Sequence, residues 1–383
     1  MQYRDFGKLR WLPSALGFGA MRMPVLDKDS SKIDEPEATR MIRYAIDHGV
    51  NYVDTAYPYH GGNSEGLVGR ALQDGYREQV KLATKLPCWL VEKTEDFDRL
   101  LNEQLERLQT DHIDFYLLHA LNKDSWAKIQ KLNILGEAEK ALADGRIHYL
   151  GFSFHDEFEV FEKIVDGYDG WTFCQIQYNY MDTEYQAGVR GLQYAYDKGL
   201  AVVVMEPIRG GQLALAPPPP ILELWDMAAH KRAPADWALQ WVWNQPQVSV
   251  VLSGMSTMEH VEQNVVSACE SGPDTLTDAE RELIARVRDR YQELIPIPCT
   301  KCEYCLPCPE GVVIPRILTM YNEAIMYNTP DKARWAYNNF IKEEERADQC
   351  AKCGECEEKC PQAIEIMEWL EKIHKVLGEG AEL

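Results

Sequence analysis

Short apolar segments alternate with amphipathic segments along most of the chain. The apolar segments are rich in β-branched and aromatic residues, which is typical of buried strands. The segments between them, such as Pro36–His48, place apolar residues three and four positions apart and often end at a glycine, which is typical of helices. From residue 15 onward the pattern predicts eight strands: Ala15–Gly19, Asn51–Asp54, Val80–Lys85, Ile113–His119, Ile147–Ser153, Phe173–Gln177, Leu200–Met205 and Val248–Leu252.

Eight strand–helix units in this length of chain predict an α/β protein with a closed (β/α)8 barrel, the TIM-barrel fold. An open, doubly wound sheet is the alternative, but no glycine-rich phosphate loop with an acidic residue beyond it follows the first strand. One connection, Ser125–Asp144, is predicted to be a single helix that stops at Gly145. The prolines at 296 and 298 mark a boundary, so we expect a barrel domain at 1–295 and a second domain at 296–383.

Polar side chains of complementary chemistry close, or directly follow, three successive strands. Asp54 ends the second strand, and Tyr59 follows it in a loop that contains a proline and two glycines. Lys85 ends the third strand and His119 ends the fourth. In a parallel barrel these ends meet at one face, which is where barrel enzymes carry their chemistry. A single residue of this kind is more often a solvated or capping group, but four at successive strand ends indicate an active site.

These four groups can work together as a proton-transfer site. A phenol has a pKa near ~10 and is a weak acid at neutral pH. A neighbouring ammonium is expected to lower the pKa of Tyr59, and a carboxylate can hold that ammonium in place. Tyr59 could then protonate a carbonyl oxygen while His119 orients the carbonyl or shares the proton.

The charge of the chain limits its partners. Its 383 residues carry a net charge of −21 with a pI of about 4.9, which argues against nucleic acid and anionic membrane surfaces. No signal peptide and no apolar stretch of membrane-spanning length is recognisable. We therefore expect a cytoplasmic protein that acts on a small molecule; the sequence does not indicate the oligomeric state.

Eight of the eleven cysteines fall in two dense groups near the end of the chain. The second group has the spacing of the bacterial ferredoxin run, Cys-x2-Cys-x2-Cys-x3-Cys-Pro, which holds [4Fe–4S] clusters. Zinc is the alternative, but it usually uses paired Cys-x2-Cys knuckles. We therefore predict two [4Fe–4S] clusters on these ligands: Cys299, Cys302, Cys305 and Cys308 in the first group, and Cys350, Cys353, Cys356 and Cys360 in the second.

The segment Asp54-Thr-Ala-Tyr-Pro-Tyr59, with Thr84-Lys85 and Leu117-Leu-His119, resembles the aldo-keto reductase family. The resemblance covers Tyr3 to about Ala268 and implies a (β/α)8 barrel, a nicotinamide cofactor, NAD(H) or NADP(H), bound without a Rossmann fold, and the catalytic residues Asp54, Tyr59, Lys85 and His119. It also implies a cofactor site in which Ser153 and Gln175 hold the carboxamide. The other implied cofactor positions are Met205, Arg209, Ser253, Gly254, His260, Gln263 and Asn264.

Four positions differ from the pattern common in that family. Phe154 follows the serine where many members have Asn, and Met205 replaces an aromatic residue that stacks on the nicotinamide. Gly254 and His260 stand where many members carry a Lys and an Arg. Because a 2′-phosphate needs cationic donors, this departure predicts that NAD(H) binds at least as well as NADP(H).

The tail resembles the helical ferredoxin-like modules that are fused to larger redox enzymes, with a mostly helical spacer at 315–341. By analogy with two-cluster ferredoxins, the last cysteine of each run serves the other cluster. Cys299, Cys302, Cys305 and Cys360 would then hold one cluster, and Cys308, Cys350, Cys353 and Cys356 the other.

Together these features predict an oxidoreductase that moves hydride between a nicotinamide and a carbonyl or alcohol, with clusters that link it to a one-electron carrier. A flavin could couple the two kinds of transfer, but no flavin motif is recognisable. Two alternatives stay open: an electron-transfer protein whose barrel is a docking scaffold, and a reductase whose clusters are only structural.

Overall fold

The computed structural model describes residues 1–299 and 301–382. Its eight strands are all parallel and form a closed barrel, in which each strand pairs with the next and the last pairs with the first. This confirms the predicted (β/α)8 barrel. The strands are β1 Leu16–Gly19, β2 Tyr52–Asp54, β3 Lys81–Leu86, β4 Ile113–Leu121, β5 Ile147–Phe154, β6 Phe173–Gln177, β7 Ala201–Met205 and β8 Val248–Ser253.

The α-helices are numbered in chain order. Those as far as residue 243 are α1 Glu35–Asp47, α2 Ser64–Ala71, α3 Asp96–Leu108, α4 Lys123–Lys131, α5 Ile134–Asp144, α6 Phe158–Asp166, α7 Gly188–Asp197, α8 Pro219–Trp225 and α9 Pro234–Trp243. Those that follow are α10 Met258–Cys269, α11 Asp278–Glu293, α12 Ile314–Met326, α13 Pro330–Phe340, α14 Glu355–Glu358 and α15 Ile366–Ile373. No helix in the described part of the chain is both long and apolar enough to cross a bilayer.

The single helix predicted over Ser125–Asp144 is wrong. Two helices, α4 and α5, occupy this stretch, and they are separated at Asn133, whose φ of 52° lies in the left-handed region. Asparagine tolerates this conformation better than most residues, so a helical pattern of apolar positions can continue across the break. The predicted stop at Gly145 is confirmed, since it caps α5 with a φ of 85°.

Alternate residues of each strand face the inside and the outside of the barrel. In β4, Phe115 and Leu117 join the inner cluster, whereas Tyr116 and Leu118 pack in the layer between strands and helices. Phe6, from the amino-terminal hairpin, packs 4.8 Å from the ring of Phe115. Gly17 is required in β1, because a Cβ there would come within 2.8 Å of Val250 and Leu252. The barrel is therefore a filled core whose chemistry can lie only at its rim.

The chain divides into two compact units. The first comprises Met1–Gly210 and Ala235–Thr277, and the second comprises Gly211–Pro234 and Asp278–Leu383. The second unit has its own apolar core, built from α12, α13, α15 and the turn that follows α15, with Tyr321 and Tyr337 fully buried in it. It also takes in residues 211–234 and 278–295, so the boundary after residue 295 stays a prediction.

Candidate active site and thiol clusters

Lys85 and Asp54 form a buried ion pair at the carboxyl ends of β3 and β2. The Lys85 Nζ donates to both Asp54 oxygens, at 2.7 and 2.8 Å, and to the backbone carbonyl of Thr55 at 2.8 Å. The ammonium thus has hydrogen-bond acceptors on both sides of the Asp54 carboxylate and on the backbone. Burial lowers the pKa of Lys85, but the charge of Asp54, the neighbouring Tyr59 and hydrogen bonds to both outweigh burial, so the net shift is upward. The ammonium is therefore charged and held in one position.

Tyr59 lies beside this ammonium. The Lys85 Nζ is 5.1 Å from the centroid of the Tyr59 ring. Burial raises the pKa of Tyr59, and the positive charge of Lys85 opposes that effect without overcoming it. The prediction that the pKa of Tyr59 is lowered was wrong for the net shift, although Lys85 does lower it as predicted. Tyr59 consequently keeps its proton at neutral pH, as a proton donor must.

His119 ends the group on the other side of Tyr59. The two rings are 6.3 Å apart and nearly perpendicular, and the indole of Trp89 lies 5.1 Å from the imidazole. Burial lowers the pKa of His119 far below its usual range, and the charges of Lys85 and His155 add to that effect. Its Nδ1 is buried with no hydrogen-bond partner among the described residues. His119 is therefore a neutral imidazole that can hydrogen-bond to a bound molecule.

A buried polar network holds the end of β3 in place. Glu65, fully buried on α2, accepts hydrogen bonds from Thr84 at 2.7 Å and from Gln104 at 2.6 Å. Gln104 also donates to the carbonyl of Lys85 at 3.0 Å and accepts from the hydroxyl of Tyr116 at 2.7 Å. Because each buried polar group here has partners, the network can fix the backbone at Lys85.

Ser153 and Gln175 are register partners on neighbouring strands, at the same rim of the barrel. Ser153 Oγ accepts from the backbone N–H of Ala120 at 2.8 Å, which leaves its own O–H free to donate. Gln175 Oε1 is buried and has no partner among the described residues, and its Nε2 lies 3.6 Å from the sulfur of Met205. An orphaned acceptor beside a free donor fits a carboxamide, which offers the opposite pair of groups. The residues present thus fit a nicotinamide.

Arg209 is held by a carboxylate that the sequence analysis did not single out. Its Nε lies 3.0 Å from Asp182 Oδ2, and the same oxygen accepts from Gln177 at 3.2 Å and from Asn179 at 3.1 Å. The backbone of Arg209 has a φ of 50°, in the left-handed region. Asp182 therefore fixes the orientation of Arg209 just after β7.

Arg22 is a cation that the sequence analysis missed. It follows β1, and the aliphatic part of its side chain occupies the space next to Gly254, where an added Cβ would meet it at 3.2 to 3.3 Å. Its guanidinium lies 3.8 Å from Glu206. A side chain at position 254 would therefore crowd Arg22 and require it to shift. The signal available in the sequence was its position after a strand end, the same rule that identified Asp54 and Lys85.

The remaining predicted cofactor residues lie where β8 leads into α10. Asn264 donates to Ser253 Oγ at 2.9 Å, and the N-cap Thr257 accepts from the backbone N–H of His260 at 3.3 Å. Gln263 is exposed, and its amide donates to Glu259 at 2.9 Å. These residues are therefore brought to one helix start, although the amide of Gln263 already has a partner.

The cysteines of the second unit line two small cavities. Cys299, Cys302, Cys305 and Cys360 line one, and Cys305, Cys308, Cys350, Cys353 and Cys356 line the other. Cys305 borders both, but its electrostatic neighbours are Cys299, Cys302 and Cys360. Cys356 interacts instead with Cys350 and Cys353, and burial, with Glu357 and these two thiols, raises its pKa to about 11. Thiols that converge in this way suit metal ions, which offset the repulsion between thiolates.

The Aldo/keto reductase family matches residues 15–271. The chain belongs to this family. Its second unit also carries a match to a 4Fe-4S dicluster domain at residues 298–365. This confirms the resemblance drawn from the strand-end motifs and the cysteine spacing, and it identifies the chain as an oxidoreductase of the aldo-keto reductase type with a dicluster domain.

Known relatives of the barrel are enzymes of the same kind. An L-galactose dehydrogenase of Arabidopsis thaliana is 28% identical over 308 residues, covering 74% of this chain and 94% of the relative. The holo form of an aldo-keto reductase from Bacillus halodurans superposes with a TM-score of 0.62 at 28% identity, covering 75% of this chain and 96% of its own. An aldo-keto reductase from Klebsiella pneumoniae, solved in complex with NADPH, gives a TM-score of 0.59 at 25% identity, with 75% and 96% covered.

Proposed function

We propose that this aldo-keto reductase transfers hydride between a nicotinamide cofactor and a carbonyl or alcohol, with Tyr59 as the proton donor. The observation that carries the proposal is the neutral phenol of Tyr59 beside the buried, charged pair of Lys85 and Asp54. A buried ion pair is weak evidence for stability, since an apolar pair of similar volume often does as well. Its retention in a site with shifted pKa values is better explained by catalysis.

The cofactor supplies or accepts the hydride at its nicotinamide ring. Gln175 Oε1 and the Ser153 O–H would hold the carboxamide, and Arg209 and Arg22 would meet the phosphates. The predicted adenosine residues at the start of α10 would take the other end of the dinucleotide. The NADPH complex of a relative supports the use of NADP(H). The residues Gly254 and His260 favour NAD(H) instead, because neither matches the Lys or Arg that would bind a 2′-phosphate. Arg22 is a cation near Gly254 that could take that role.

During carbonyl reduction Tyr59 would donate its phenolic proton to the carbonyl oxygen. The fixed ammonium of Lys85 then stabilises the phenolate that is left behind, because an opposite charge nearby favours the ionised form. His119, being neutral, would hydrogen-bond to the same oxygen and orient it without adding charge. In alcohol oxidation the same groups would act in reverse, with the Tyr59 phenolate taking the proton.

We further propose that the two cavities hold two [4Fe–4S] clusters with the ligands exchanged between the two runs. The first cluster would take Cys299, Cys302, Cys305 and Cys360. The second cluster would take Cys308, Cys350, Cys353 and Cys356. Cys302 and Cys353 are exposed, so one edge of each cluster would face solvent, which suits exchange of single electrons with a carrier. The predicted cytoplasmic location fits clusters that depend on reduced thiols.

Transfer of deuterium tests the proposal. The cluster-loaded protein is incubated anaerobically with 4-nitrobenzaldehyde and with NADPH or NADH that carries deuterium at C4 of the nicotinamide. We expect deuterium at the alcohol carbon from one face of the nicotinamide, and we expect Tyr59→Phe to lower the rate by at least ~10².

Tyr57→Phe is the matched control. Tyr57 is in the same loop, but its hydroxyl donates to Glu103 at 3.1 Å and its ring stacks on Arg107, so its removal should leave the rate unchanged. Turnover that survives in Tyr59→Phe would contradict the assigned proton donor. Absence of deuterium transfer from either nucleotide to any carbonyl of a wider panel would favour the docking scaffold instead.

A further inference from the structure

A second group of metal-ligand side chains lies at the amino-terminal end of the barrel strands. His112 precedes β4, Asp114 is in β4 and His148 is in β5. The pairing of Ile113 with Ile147 and of Phe115 with Tyr149 places Asp114 directly opposite His148. One ligand atom from each of the three residues lies within 4.8 Å of the other two. Two imidazoles and one carboxylate are a ligand set that zinc and similar ions prefer.

The imidazole of His112 is held in an orientation suited to a ligand. Its Nδ1 is 2.7 Å from a carboxylate oxygen of Asp111, while its Nε2 lies 3.9 Å from Asp114 Oδ1. A carboxylate that accepts from one ring nitrogen fixes the proton there and leaves the other nitrogen as a ligand, as is usual around metal-bound histidines. The Asp111 contact is thus an independent sign of a metal site.

The spacing of the three ligand atoms is close to what a tetrahedral ion needs. His148 Nδ1 lies 3.5 Å from Asp114 Oδ1, and the two imidazole rings are stacked with centroids 4.5 Å apart. Bonds of zinc length place neighbouring ligand atoms roughly 3.3 Å apart. Both histidines are partly exposed, so small rotations of their rings would close the remaining difference.

Asp114 already has two cationic partners, Arg77 and Lys81, so a metal ion would have to replace one of them. Its Oδ2 faces Arg77 at 2.9 Å and the backbone N–H of Leu82 at 3.0 Å, whereas its Oδ1 faces only Lys81 at 2.8 Å and the two histidines. Arg77 is tied down further by the carbonyl of His112 at 3.0 Å. Lys81 is about one-third exposed, more than Arg77 is, so it is the partner that an ion would displace.

The surroundings favour a cation over an anion. Two of the three ligand residues, His112 and Asp114, form part of the wall of a surface cavity of about 400 Å³. Its other charged lining residues are Asp74, Glu78, Asp111, Arg77 and Lys81. Counting Asp114, four carboxylates face two cations. If Lys81 swings out, the excess of negative charge at the site grows.

We propose that His112 Nε2, His148 Nδ1 and Asp114 Oδ1 form a binding site for a divalent ion of the zinc type, with an open fourth position and with Lys81 as a built-in competitor. Asp114 and His119 are five positions apart on β4, or about 16 Å along a strand. The site is therefore separate from the reductase chemistry, and it does not depend on the function proposed above.

Diffraction at the zinc absorption edge tests the site directly. Crystals of the cluster-loaded protein are soaked in zinc, and we expect an anomalous peak bounded by the three ligand atoms. Equilibrium dialysis against zinc, with the iron content of each sample measured to show that the clusters stay intact, then compares the variants. His148→Asn should lose this zinc, whereas His48→Asn, at an exposed histidine that contacts Tyr44 on α1, should keep it.

Lys81→Met distinguishes a metal site from a structural cluster of polar residues. Removing the competing ammonium should tighten zinc binding by at least about tenfold, since it takes a positive charge away from the ligand oxygen. The proposal is overturned by the absence of an anomalous peak at the three atoms, by equal binding in His148→Asn, or by an affinity that is unchanged or weaker in Lys81→Met.

Discussion

The barrel site and the cysteine segments differ in how they stabilise groups that are unfavourable to bring together: a buried ammonium in the first and converging thiols in the second. In the barrel, the ammonium of Lys85 finds its counter-charge and all its hydrogen-bond partners within the folded chain. In the second unit, the thiols converge on one another, and burial, together with the nearby thiols, raises the pKa values of Cys305 and Cys356. The first site is complete once the barrel has folded. The cysteine site is complete only with iron, because the metal offsets the repulsion between neighbouring thiolates.

This difference follows from the local structure. Asp54 and Lys85 are fixed by strands that pair with their neighbours along the barrel. Six of the eight cysteines lie in segments without regular helix or strand, between α11 and α12 and between α13 and α14. A ligand in such a segment keeps considerable conformational freedom until a cluster is bound. The barrel site should therefore tolerate loss of the clusters, whereas the cysteine segments should not.

The largest expected effect is loss of a cluster. The exchanged ligand sets predict that Cys302→Ser and Cys360→Ser remove one cluster and that Cys308→Ser and Cys353→Ser remove the other. The intact protein should contain about eight iron and eight acid-labile sulfide per chain when purified anaerobically. Iron analysis together with the EPR spectrum of the remaining reduced cluster checks this.

If each run of four cysteines held one cluster by itself, without exchange of the last cysteine, the same variants would group differently. In that case Cys360→Ser would share the spectrum of Cys353→Ser and not that of Cys302→Ser. Two zinc ions per chain without visible absorbance would contradict the clusters altogether.

A smaller effect is expected when the ion pair of the barrel is broken. Lys85→Met leaves the Asp54 carboxylate buried without a counter-charge, and we expect it to lower the free energy of unfolding by about 3–5 kcal/mol. Lys85→Met combined with Asp54→Leu removes both charges and should recover most of that loss. Urea unfolding of the cluster-loaded proteins, followed by hydrogen exchange in peptides that cover β2 and β3, measures both. Equal stabilities for the single variant and the wild type would show that the pair does not hold this site together.

The smallest effect concerns the cofactor grip. Arg22→Gln should weaken the binding of NADPH about tenfold, because one charge-assisted hydrogen bond is worth roughly 1.5–3 kcal/mol. His260→Arg should strengthen NADPH binding without changing that of NADH. Fluorescence titration of each variant with both nucleotides gives the dissociation constants. If Arg22→Gln binds NADPH as the wild type does, Arg22 has no part in the phosphate site.

The strand-end residues were predictable because a parallel barrel brings the carboxyl ends of its strands together regardless of the conformation of the loops. Asp54, Lys85 and His119 each terminate or lie near the end of an apolar segment, so pattern and fold class were enough to group them. Arg22 also follows a strand end, but the sequence does not connect it with Gly254, which is more than 200 residues away and meets it only when β1 closes against β8. The carboxylate of Asp182 escaped for the same reason, since its partner Arg209 lies on the loop after the next strand.

The electrostatics of the site were less predictable than its residues. The influence of Lys85 on Tyr59 was evident from charge alone, but the net direction depends on burial of the phenol. The break at Asn133 is similar: the apolar spacing of a helix continues through it, and only the left-handed backbone shows it. Periodicity identifies which residues face a core, but it does not give the depth of burial or the backbone conformation at a single residue.

Hydrogen exchange of the protein with and without its clusters tests most directly whether the barrel site is independent of iron while the cysteine segments depend on it. Iron is removed anaerobically with a chelator, and exchange is followed by mass spectrometry in peptides from the whole chain. We expect the peptides covering residues 301–313 and 347–363 to lose their protection, while the peptides carrying Asp54 and Lys85 in β2 and β3 keep theirs. Unchanged protection in the cysteine segments, or loss of protection in those strands, would contradict the account.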